Sequence, residues 1–188
     1  AMAVGMGMGA SYDHNARIID YILHNFRGKL LLDADGLNSI QNQTQMLDNA
    51  VCQVVIAPHP KEMARLTGLD VSEVLSNPLD TARDFAKAHN IVVLLKGTST
   101  IVTDGDKAMI VTSGTPALAK GGSGDVLSGT ILGLMARGVD VFDSAVVSSY
   151  ICGKASVVAS DLFGEYGTLA SDTAVAVGKV VKSLETQF

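Results

Sequence analysis

Two short apolar runs, residues 51–57 (VCQVVIA) and 91–95 (IVVLL), determine which kind of sheet this chain can form. A strand with one face in water alternates apolar and polar residues, whereas these runs are almost continuously apolar. Such runs are typical of parallel strands that helices cover on both faces. Segments with helical periodicity precede and separate the runs. The order of elements therefore predicts an α/β fold with a mainly parallel sheet.

The other elements follow from the spacing of apolar residues and from capping and turn residues. Asp143 is the predicted N-cap of a long helix, 144–160, and residues 162–167 are predicted to form a loop. A hairpin is predicted for strands 100–103 and 107–112. Further strands are predicted at 2–4 and 29–33, and further helices at 13–26, 37–47, 61–67, 79–89, from about 125, and at 173–185.

Composition argues against several functional classes. The chain has 188 residues, 47% of them hydrophobic, so we expect one globular domain, 1–188. The net charge is −5 and no lysine- or arginine-rich run occurs, which argues against a nucleic-acid partner. We see no signal peptide, and no apolar run that approaches the length of a membrane span. Cys52 and Cys152 are predicted core thiols, typical of a reducing compartment, and we expect a cytoplasmic protein.

Three glycines crowd into four positions at Gly121, Gly122 and Gly124, with Ser123 between them and Asp125 directly after. Glycines before a helix let backbone N–H groups converge, and the helix start adds unpaired donors and a partial positive charge. This combination predicts a phosphate site. Asp125 could simply cap the helix, but it could also accept a proton from an attacking hydroxyl or hold a metal ion. With the glycines in front of it, we favour a functional role.

The first unit is a strand, a glycine-rich turn at residues 5–10 (GMGMGA), a helix, a second strand, and then Asp33 and Asp35. This order matches the dinucleotide-binding fingerprint, in which an acidic residue binds a ribose. It also matches an ordinary tight turn between a strand and a helix, since so short a motif gives many false positives. An NAD-dependent dehydrogenase therefore stays open as a function of another class.

Polar residues follow the two buried strands. The first strand leads into His59-Pro60-Lys61-Glu62, where Pro60 suits the first helical position and His59 and Glu62 suit a capping box. The second leads into residues 96–100 (KGTST), whose lysine and hydroxyls suit phosphate or ribose. The carboxyl ends of parallel strands share one edge of the sheet, where ligands bind. His59 and Glu62 are therefore equally candidates for ligand contacts.

Six segments are characteristic in combination and in this order: VGMGMG, LLDADGLN, APHPKEMARLTG, VVLLKGTSTIV, SGTPALAKGGSGDVLSGTILGLMARG and GTLASD. Together they resemble the ADP/ATP-dependent NAD(P)H-hydrate dehydratases of the ribokinase-like superfamily, from about residue 4 to 172. The resemblance implies a ribokinase-like three-layer αβα sandwich, in a domain that normally carries a further N-terminal stretch. It also implies repair of hydrated NADH or NADPH, in which ADP or ATP phosphorylates the C6 hydroxyl so that it can leave.

The resemblance implies roles for individual residues. Asp125 would be the base that activates the substrate hydroxyl, and the glycines of 121–124 would form the anion hole for the transferring phosphoryl group. His59 and Gly7 would contact the hydrated cofactor, and Glu62 would act on Mg²⁺ through water. The implied assembly is a homo-oligomer such as a tetramer. The implied nucleotide-binding residues are Lys96, Gly97, Thr98, Ser99, Thr100, Gly121, Gly122, Ser123 and Gly124.

The chain also departs from the family pattern. Lys61 stands where the family usually has glycine, and Cys152 where it often has histidine, while the glycine–aspartate core is intact. Two further functions stay open: a kinase of the same superfamily that phosphorylates a small vitamin-like alcohol, and a non-catalytic nucleotide-binding subunit. Both ADP and ATP, and both NADH-hydrate and NADPH-hydrate, remain candidates.

Overall fold

Residues 1–185, which the computed structural model describes, form a six-stranded sheet between two layers of helices. The last three residues of the predicted domain, 186–188, lie outside the described residues. Four neighbouring strands are parallel, and a hairpin adds two antiparallel strands at one edge. In sheet order the strands are β1 (Met2–Val4), β2 (Lys29–Leu32), β3 (Gln53–Ile56), β4 (Val92–Leu95), β5 (Thr100–Thr103) and β6 (Ala108–Val111).

The helices lie on both faces of this sheet, which confirms the three-layer α/β architecture. The first five cover one face, the next two cover the other, and the last packs outside the seventh. Their bounds are α1 (Tyr12–Asn25), α2 (Asp35–Ile40), α3 (Pro60–Thr67), α4 (Val71–Ser76), α5 (Pro78–His89), α6 (Ser123–Ala136), α7 (Val141–Gly167) and α8 (Ala170–Glu185).

Alternate residues of each buried strand belong to opposite layers. In β2, Leu30 and Leu32 pack under the first layer, whereas Leu31 packs under the second. Val54 and Val55 divide in the same way in β3. Burial of both faces is the reason that the runs are continuously apolar, as we predicted.

Several predicted boundaries were wrong. The long helix α7 begins at Val141, because the side chain of Asp140 accepts the N–H groups of Phe142 and Asp143. Asp143 is therefore a first-turn residue and not the cap. Residues 162–167, predicted to be a loop, complete α7, and the helical backbone is interrupted only at Gly164.

Two further segments differ from prediction. Residues 37–47 do not form one helix: α2 ends at Ile40, and a 3₁₀ helix follows at Thr44–Asn49. The short helix α4 was not predicted at all, although Asp70 and Glu73 form its capping box. Six residues are too few for helical periodicity to be visible, so only the capping pair could have revealed it.

The expectation that no apolar run approaches the length of a membrane span was also wrong. Among the described residues, one helix, α7, is long enough and apolar enough to cross a membrane, judged by its length and composition alone. Of its most apolar 18-residue window, 61% is buried inside the structure, against α6, α8 and the sheet. Its apolar composition is thus used in packing between protein layers.

Candidate functional site

The carboxyl ends of the central strands border a cavity of about 560 Å³. The backbone keeps two of its walls together, because the N–H of Lys96 donates to the carbonyl of Pro58 (2.8 Å) just beyond β3 and β4. His59 and Lys96 consequently lie side by side at the mouth of the sheet. The lining residues are His59, Pro60, Lys96, Gly97, Thr98, Thr100, Ser113, Gly114, Thr115, Pro116, Leu118, Ala119, Ser123, Gly124, Leu127, Ser149 and Cys152.

The glycine-rich loop forms the wall at the start of α6. The helix begins at Ser123, two residues earlier than we predicted, and its N-cap is Gly122 in a left-handed conformation (φ 90°). Asp125 is the third helical residue, so it is not the N-cap. The first N–H groups of a helix have no acceptor within the helix. In α6 the first two residues, Ser123 and Gly124, line the cavity.

Ser123 carries the clearest sign of a ligand. Its Oγ is buried and has no hydrogen-bond partner within residues 1–185. A buried hydroxyl without a partner costs free energy, and such groups in native proteins are normally satisfied. Because Ser123 lies at a helix N-terminus and lines the cavity, a phosphate oxygen is a chemically suitable partner.

A buried ion pair lies behind the cavity. The Lys96 ammonium donates to Asp33 Oδ1 at 2.8 Å, and the Asp33 side chain is only 3% exposed. Asp33 Oδ1 also accepts the N–H of Ala34, and Oδ2 accepts the hydroxyl of Ser128 on α6, both at 2.8 Å. One carboxylate thus ties the end of β2 to the end of β4 and to the helix that follows the glycine loop.

Glu62 belongs to the same cluster. Its Oε2 accepts the backbone N–H of His59 (2.8 Å) and lies 4.0 Å from the Lys96 ammonium. The Nδ1 of His59 accepts the N–H groups of Lys61 and Glu62, so the predicted capping box is confirmed. This pattern makes Nδ1 the unprotonated nitrogen and directs Nε2 towards Glu62 Oε1, 3.5 Å away. His59 therefore serves as a helix cap and also lines the cavity.

The magnesium role of Glu62 stays a prediction. Within the described chain, no group of three or more His, Cys, Asp or Glu side chains could hold a metal ion. Glu62 is buried, its oxygens face His59 and Lys96, and it does not line the cavity. Magnesium usually keeps several waters and binds through one or two carboxylates together with substrate phosphates. A single carboxylate such as Glu62 is compatible only with an ion held in that way, since the described residues form no protein cage for it.

Asp125 and Gly7 lie outside the cavity lining. Asp125 is exposed in the first turn of α6, and we find no hydrogen bond or ion pair for its carboxylate in the described part of the chain. Gly7 is exposed in the turn after β1, with a left-handed backbone and open space at the Cβ position. Contacts between α6 and both β1 and β2 bring the two regions to the same edge of the sheet.

The first turn does not have the surroundings of a dinucleotide site. The described strands follow one another in sequence order from β1 to β6, whereas the dinucleotide-binding fold holds its ligand where the strand order reverses. The carboxylate of Asp35 already has a partner within the chain, since its Oδ2 accepts the N–H of Gly9 at 2.8 Å. The dehydrogenase interpretation therefore lacks its structural context.

Of the predicted nucleotide-binding residues, six line the cavity: Lys96, Gly97, Thr98, Thr100, Ser123 and Gly124. Ser99, Gly121 and Gly122 lie in the same two loops without lining it. Proximity to the cavity does not test a role in binding, so these roles stay predictions.

Sequence reasoning missed the wall contributed by residues 113–119 and by α7. Thr115 caps a short 3₁₀ helix, Pro116–Leu118, and its N–H donates to Ser156 Oγ on α7 at 3.1 Å. The Thr-Pro pair was the local signal for this turn, but its docking partner is 41 residues away. On the same helix Cys152 lines the cavity, where burial raises the pKa of its thiol.

Comparison with known proteins identifies the family. A family model described as NAD(P)H-hydrate dehydratase matches residues 1–177. The chain belongs to this family. An ADP-dependent (S)-NAD(P)H-hydrate dehydratase from Neisseria meningitidis is 33% identical over 192 residues, which cover 98% of this chain and 65% of the relative. A bifunctional NAD(P)H-hydrate repair enzyme from Moorella thermoacetica is 31% identical over 98% of this chain, but the match spans 35% of that enzyme.

Solved structures agree with this assignment. An ADP/ATP-dependent NAD(P)H-hydrate dehydratase from Bacillus subtilis, co-crystallised with ATP and Mg²⁺, has a TM-score of 0.87 and 27% identity, covering 96% of this chain and 63% of that one. A ribokinase-like superfamily protein from Enterococcus faecalis has a TM-score of 0.77 at 21% identity, with 96% of this chain and 62% of that chain covered. The second match supports the fold alone, and it agrees with the predicted ribokinase-like architecture.

Proposed function

We propose that this chain dehydrates hydrated NADH and NADPH in a reaction driven by ADP or ATP. Membership of the NAD(P)H-hydrate dehydratase family supports the reaction class. The chain spans about a third of the bifunctional relative and 65% of the Neisseria enzyme, so the activity of the whole relative comes to this chain as a proposal.

The observation that carries the nucleotide half of the proposal is the buried, unpartnered hydroxyl of Ser123 at the cavity wall. A phosphate bound there would receive this hydroxyl and the N–H of Gly124, in the field of the helix N-terminus. The cavity of about 560 Å³ has the size of a small-molecule site. The hydroxyls of Thr98 and Thr100 supply further polar contacts to a nucleotide in the same cavity.

Asp125 is proposed as the base of the transfer step. Its exposed carboxylate takes the proton of the C6 hydroxyl, whose oxygen forms a bond to the terminal phosphorus while the bond to the leaving nucleotide breaks. Phosphate then leaves C6 with its electron pair, and a proton is lost from the neighbouring ring carbon, which restores NADH or NADPH. The glycines of 121–124 lower the barrier by donating to the charge on the phosphoryl oxygens. Gly7 and His59 are proposed to hold the hydrated cofactor.

When magnesium is bound with the nucleotide, it neutralises phosphate charge, and we propose that Glu62 acts on it through water. Lys96 adds a positive charge at the cavity wall, with its position fixed by Asp33. The same proposal includes a cytoplasmic homo-oligomer, such as a tetramer, without nucleic-acid or membrane partners. Exposed apolar residues at the end of α7, including Phe163 and Tyr166, support an oligomer, which sedimentation of the purified chain would test.

The test is a comparison of the wild-type chain with Asp125→Asn on hydrated NADPH. Asparagine has nearly the same size and shape as aspartate but cannot act as a base, so the variant should fold normally. Its kcat should fall by about 100-fold or more, the lower end of what a general base contributes. Near-normal turnover by Asp125→Asn would remove the base. A stable phosphorylated product in place of NADPH would instead favour the kinase of a small alcohol. Nucleotide binding without turnover of either kind would favour the non-catalytic subunit.

A further inference from the structure

The ammonium group of Lys120 lies in a cage of three backbone carbonyls at the C-terminal end of α7. Its Nζ donates to the carbonyls of Glu165 (3.1 Å) and Tyr166 (2.9 Å), and also to that of Thr168. An ammonium has three N–H donors, so these three acceptors use all of them. The carbonyls converge on one point because the backbone leaves the helical conformation at Gly164 (φ 72°, ψ 157°).

The cage is held by its own hydrogen bonds. Thr168 is fully buried, and both its hydroxyl (2.7 Å) and its N–H (3.0 Å) donate to the carbonyl of Gly164. The N–H of Leu169 donates to Oδ2 of Asp172, in the first turn of α8. The last carbonyls of a helix carry partial negative charge, so a cation is favoured at this position. Lys120 thus occupies a site that the α7–α8 junction builds for a cation.

Lys120 is also the residue that directly precedes the glycine loop. Its own carbonyl accepts the N–H of Ser123 at 3.2 Å and so closes the turn that starts α6. At the middle of this turn, a Cβ on Gly122 would lie 3.1 Å from the Cβ of Ala170, at the start of α8. The loop therefore rests against the junction whose carbonyls hold the Lys120 ammonium.

A segment with three glycines in four positions has high backbone freedom and a large ordering cost. The N–H donors of such a loop stabilise a phosphoryl group only when they are held in place before the reaction. A lysine beside a glycine loop suggests a direct phosphate ligand, but all three donors of Lys120 are already used by carbonyls. Anchoring is the role that this geometry supports.

We infer that Lys120 is a positioning residue, whose ammonium anchors the glycine loop to the α7–α8 junction and so keeps the loop's N–H groups in place for the transferring phosphoryl group. This inference rests on the proposed function. It concerns a residue that does not line the cavity, and it adds the α7–α8 junction to the structural requirements of the reaction.

The experiment compares Lys120→Met and Lys120→Ala with Lys179→Met, a matched change of an exposed lysine on α8. Nucleotide-dependent turnover of hydrated NADPH is measured well below the melting temperature of each protein. Lys120→Met should lose at least tenfold in kcat while KM for the nucleotide changes less than threefold, because displacement of the loop by about 1 Å can cost 100-fold in rate. Ammonium or methylammonium should restore part of the kcat of Lys120→Ala by entering the cage, and should leave Lys179→Met unchanged.

Wild-type kcat in Lys120→Met overturns the inference, as does a tenfold rise in KM with kcat unchanged, which would make Lys120 a nucleotide ligand. Absence of any ammonium effect on Lys120→Ala also overturns it. If Lys120→Met does not fold, Lys120→Arg takes its place, with the same split between kcat and KM expected because a planar guanidinium does not match the cage.

Amide hydrogen exchange separates this inference from the proposed function. If the wild-type chain shows no turnover, the proposed function fails, and protection of the Ser123 amide, which donates to the Lys120 carbonyl, decides about Lys120. Loss of protection there in Lys120→Met, relative to Lys179→Met, supports the anchor. Equal protection in the two variants overturns it.

Discussion

Replacement of Lys96 by methionine should destabilise the fold more than replacement of its partner Asp33 by asparagine. The two residues form one ion pair, at 2.8 Å, but they differ in burial: the side chain of Lys96 is 23% exposed and that of Asp33 is 3% exposed. Removal of one partner leaves the other charge without compensation, and the cost depends on how well water can reach it.

The magnitudes follow from what remains around each group. In Lys96→Met the Asp33 carboxylate keeps only the Ser128 hydroxyl and the Ala34 N–H, so we expect about 3 kcal/mol, the lower end of the range for breaking a buried pair. In Asp33→Asn the Lys96 ammonium keeps an amide oxygen, the Glu62 carboxylate at 4.0 Å and solvent, so we expect about 1.5 kcal/mol. The double variant has no unpaired carboxylate at position 33 and should lose about 1–2 kcal/mol less than the sum of the single changes.

Chemical denaturation of the four proteins at one pH measures these differences, with equal slopes required as evidence that the same transition is compared. The exposed pair of Lys87 and Asp106 is the matched control, and its disruption should change the free energy of unfolding by no more than about 1 kcal/mol. The reasoning is refuted if Asp33→Asn costs more than Lys96→Met, or if the two costs are additive.

Three further predictions concern packing, pH and ligand binding. Gly5→Ala should lower the free energy of unfolding, measured by thermal denaturation, by about 3 kcal/mol or more, since a Cβ there would lie 1.8 Å from the Asp33 carbonyl oxygen. Gly7→Ala has open space at the Cβ position and should lower it by only about 1 kcal/mol, because of the left-handed backbone. Equal losses in the two variants would contradict this. Burial raises the pKa of Cys152 above its ordinary value of 9.0, so the unfolded chain ionises first. The free energy of unfolding should therefore be unaffected by this thiol below pH 9.0 and fall as the pH rises further, and Cys152→Ala should show a smaller fall in alkaline denaturation. ADP or ATP should slow modification of Cys152 by methyl methanethiosulfonate without affecting Cys52, which lies just before β3 and away from the cavity; equal protection of both thiols would argue against nucleotide binding in this cavity.

The layered fold could be predicted because it depends on local patterns. In the run at 51–57, Val54 and Ile56 pack against one helix layer, and Val55 and Ala57 pack against the other. Burial on both faces makes the run continuously apolar, so it is visible in one short segment of sequence. Pro60 and Glu62 fixed the start of α3 for the same reason, since a capping box spans only four residues. The boundaries of α7 failed because Asp140 and Asp143 are equally good caps by residue type.

The partners within the site could not be predicted, because they are distant in sequence. The family resemblance implies a nucleotide-binding role for Lys96, which stays a prediction, but no local signal indicated that its ammonium pairs with Asp33, 63 positions earlier. Likewise, residues 162–167 look like a loop in the sequence, and the lysine that satisfies their carbonyls lies 45 positions or more before them. Such pairings follow from how the layers pack together, and no local signal specifies them.

The central claim is nucleotide-driven dehydration, and the most direct test is incubation of the purified chain with hydrated NADPH and Mg²⁺, with ADP, with ATP, or with no nucleotide. The products are separated and the phosphate released is counted. We predict that NADPH is recovered only with a nucleotide and that one phosphate is released for each NADPH formed. Recovery of NADPH without a nucleotide, or phosphate release without recovery of NADPH, would contradict the account.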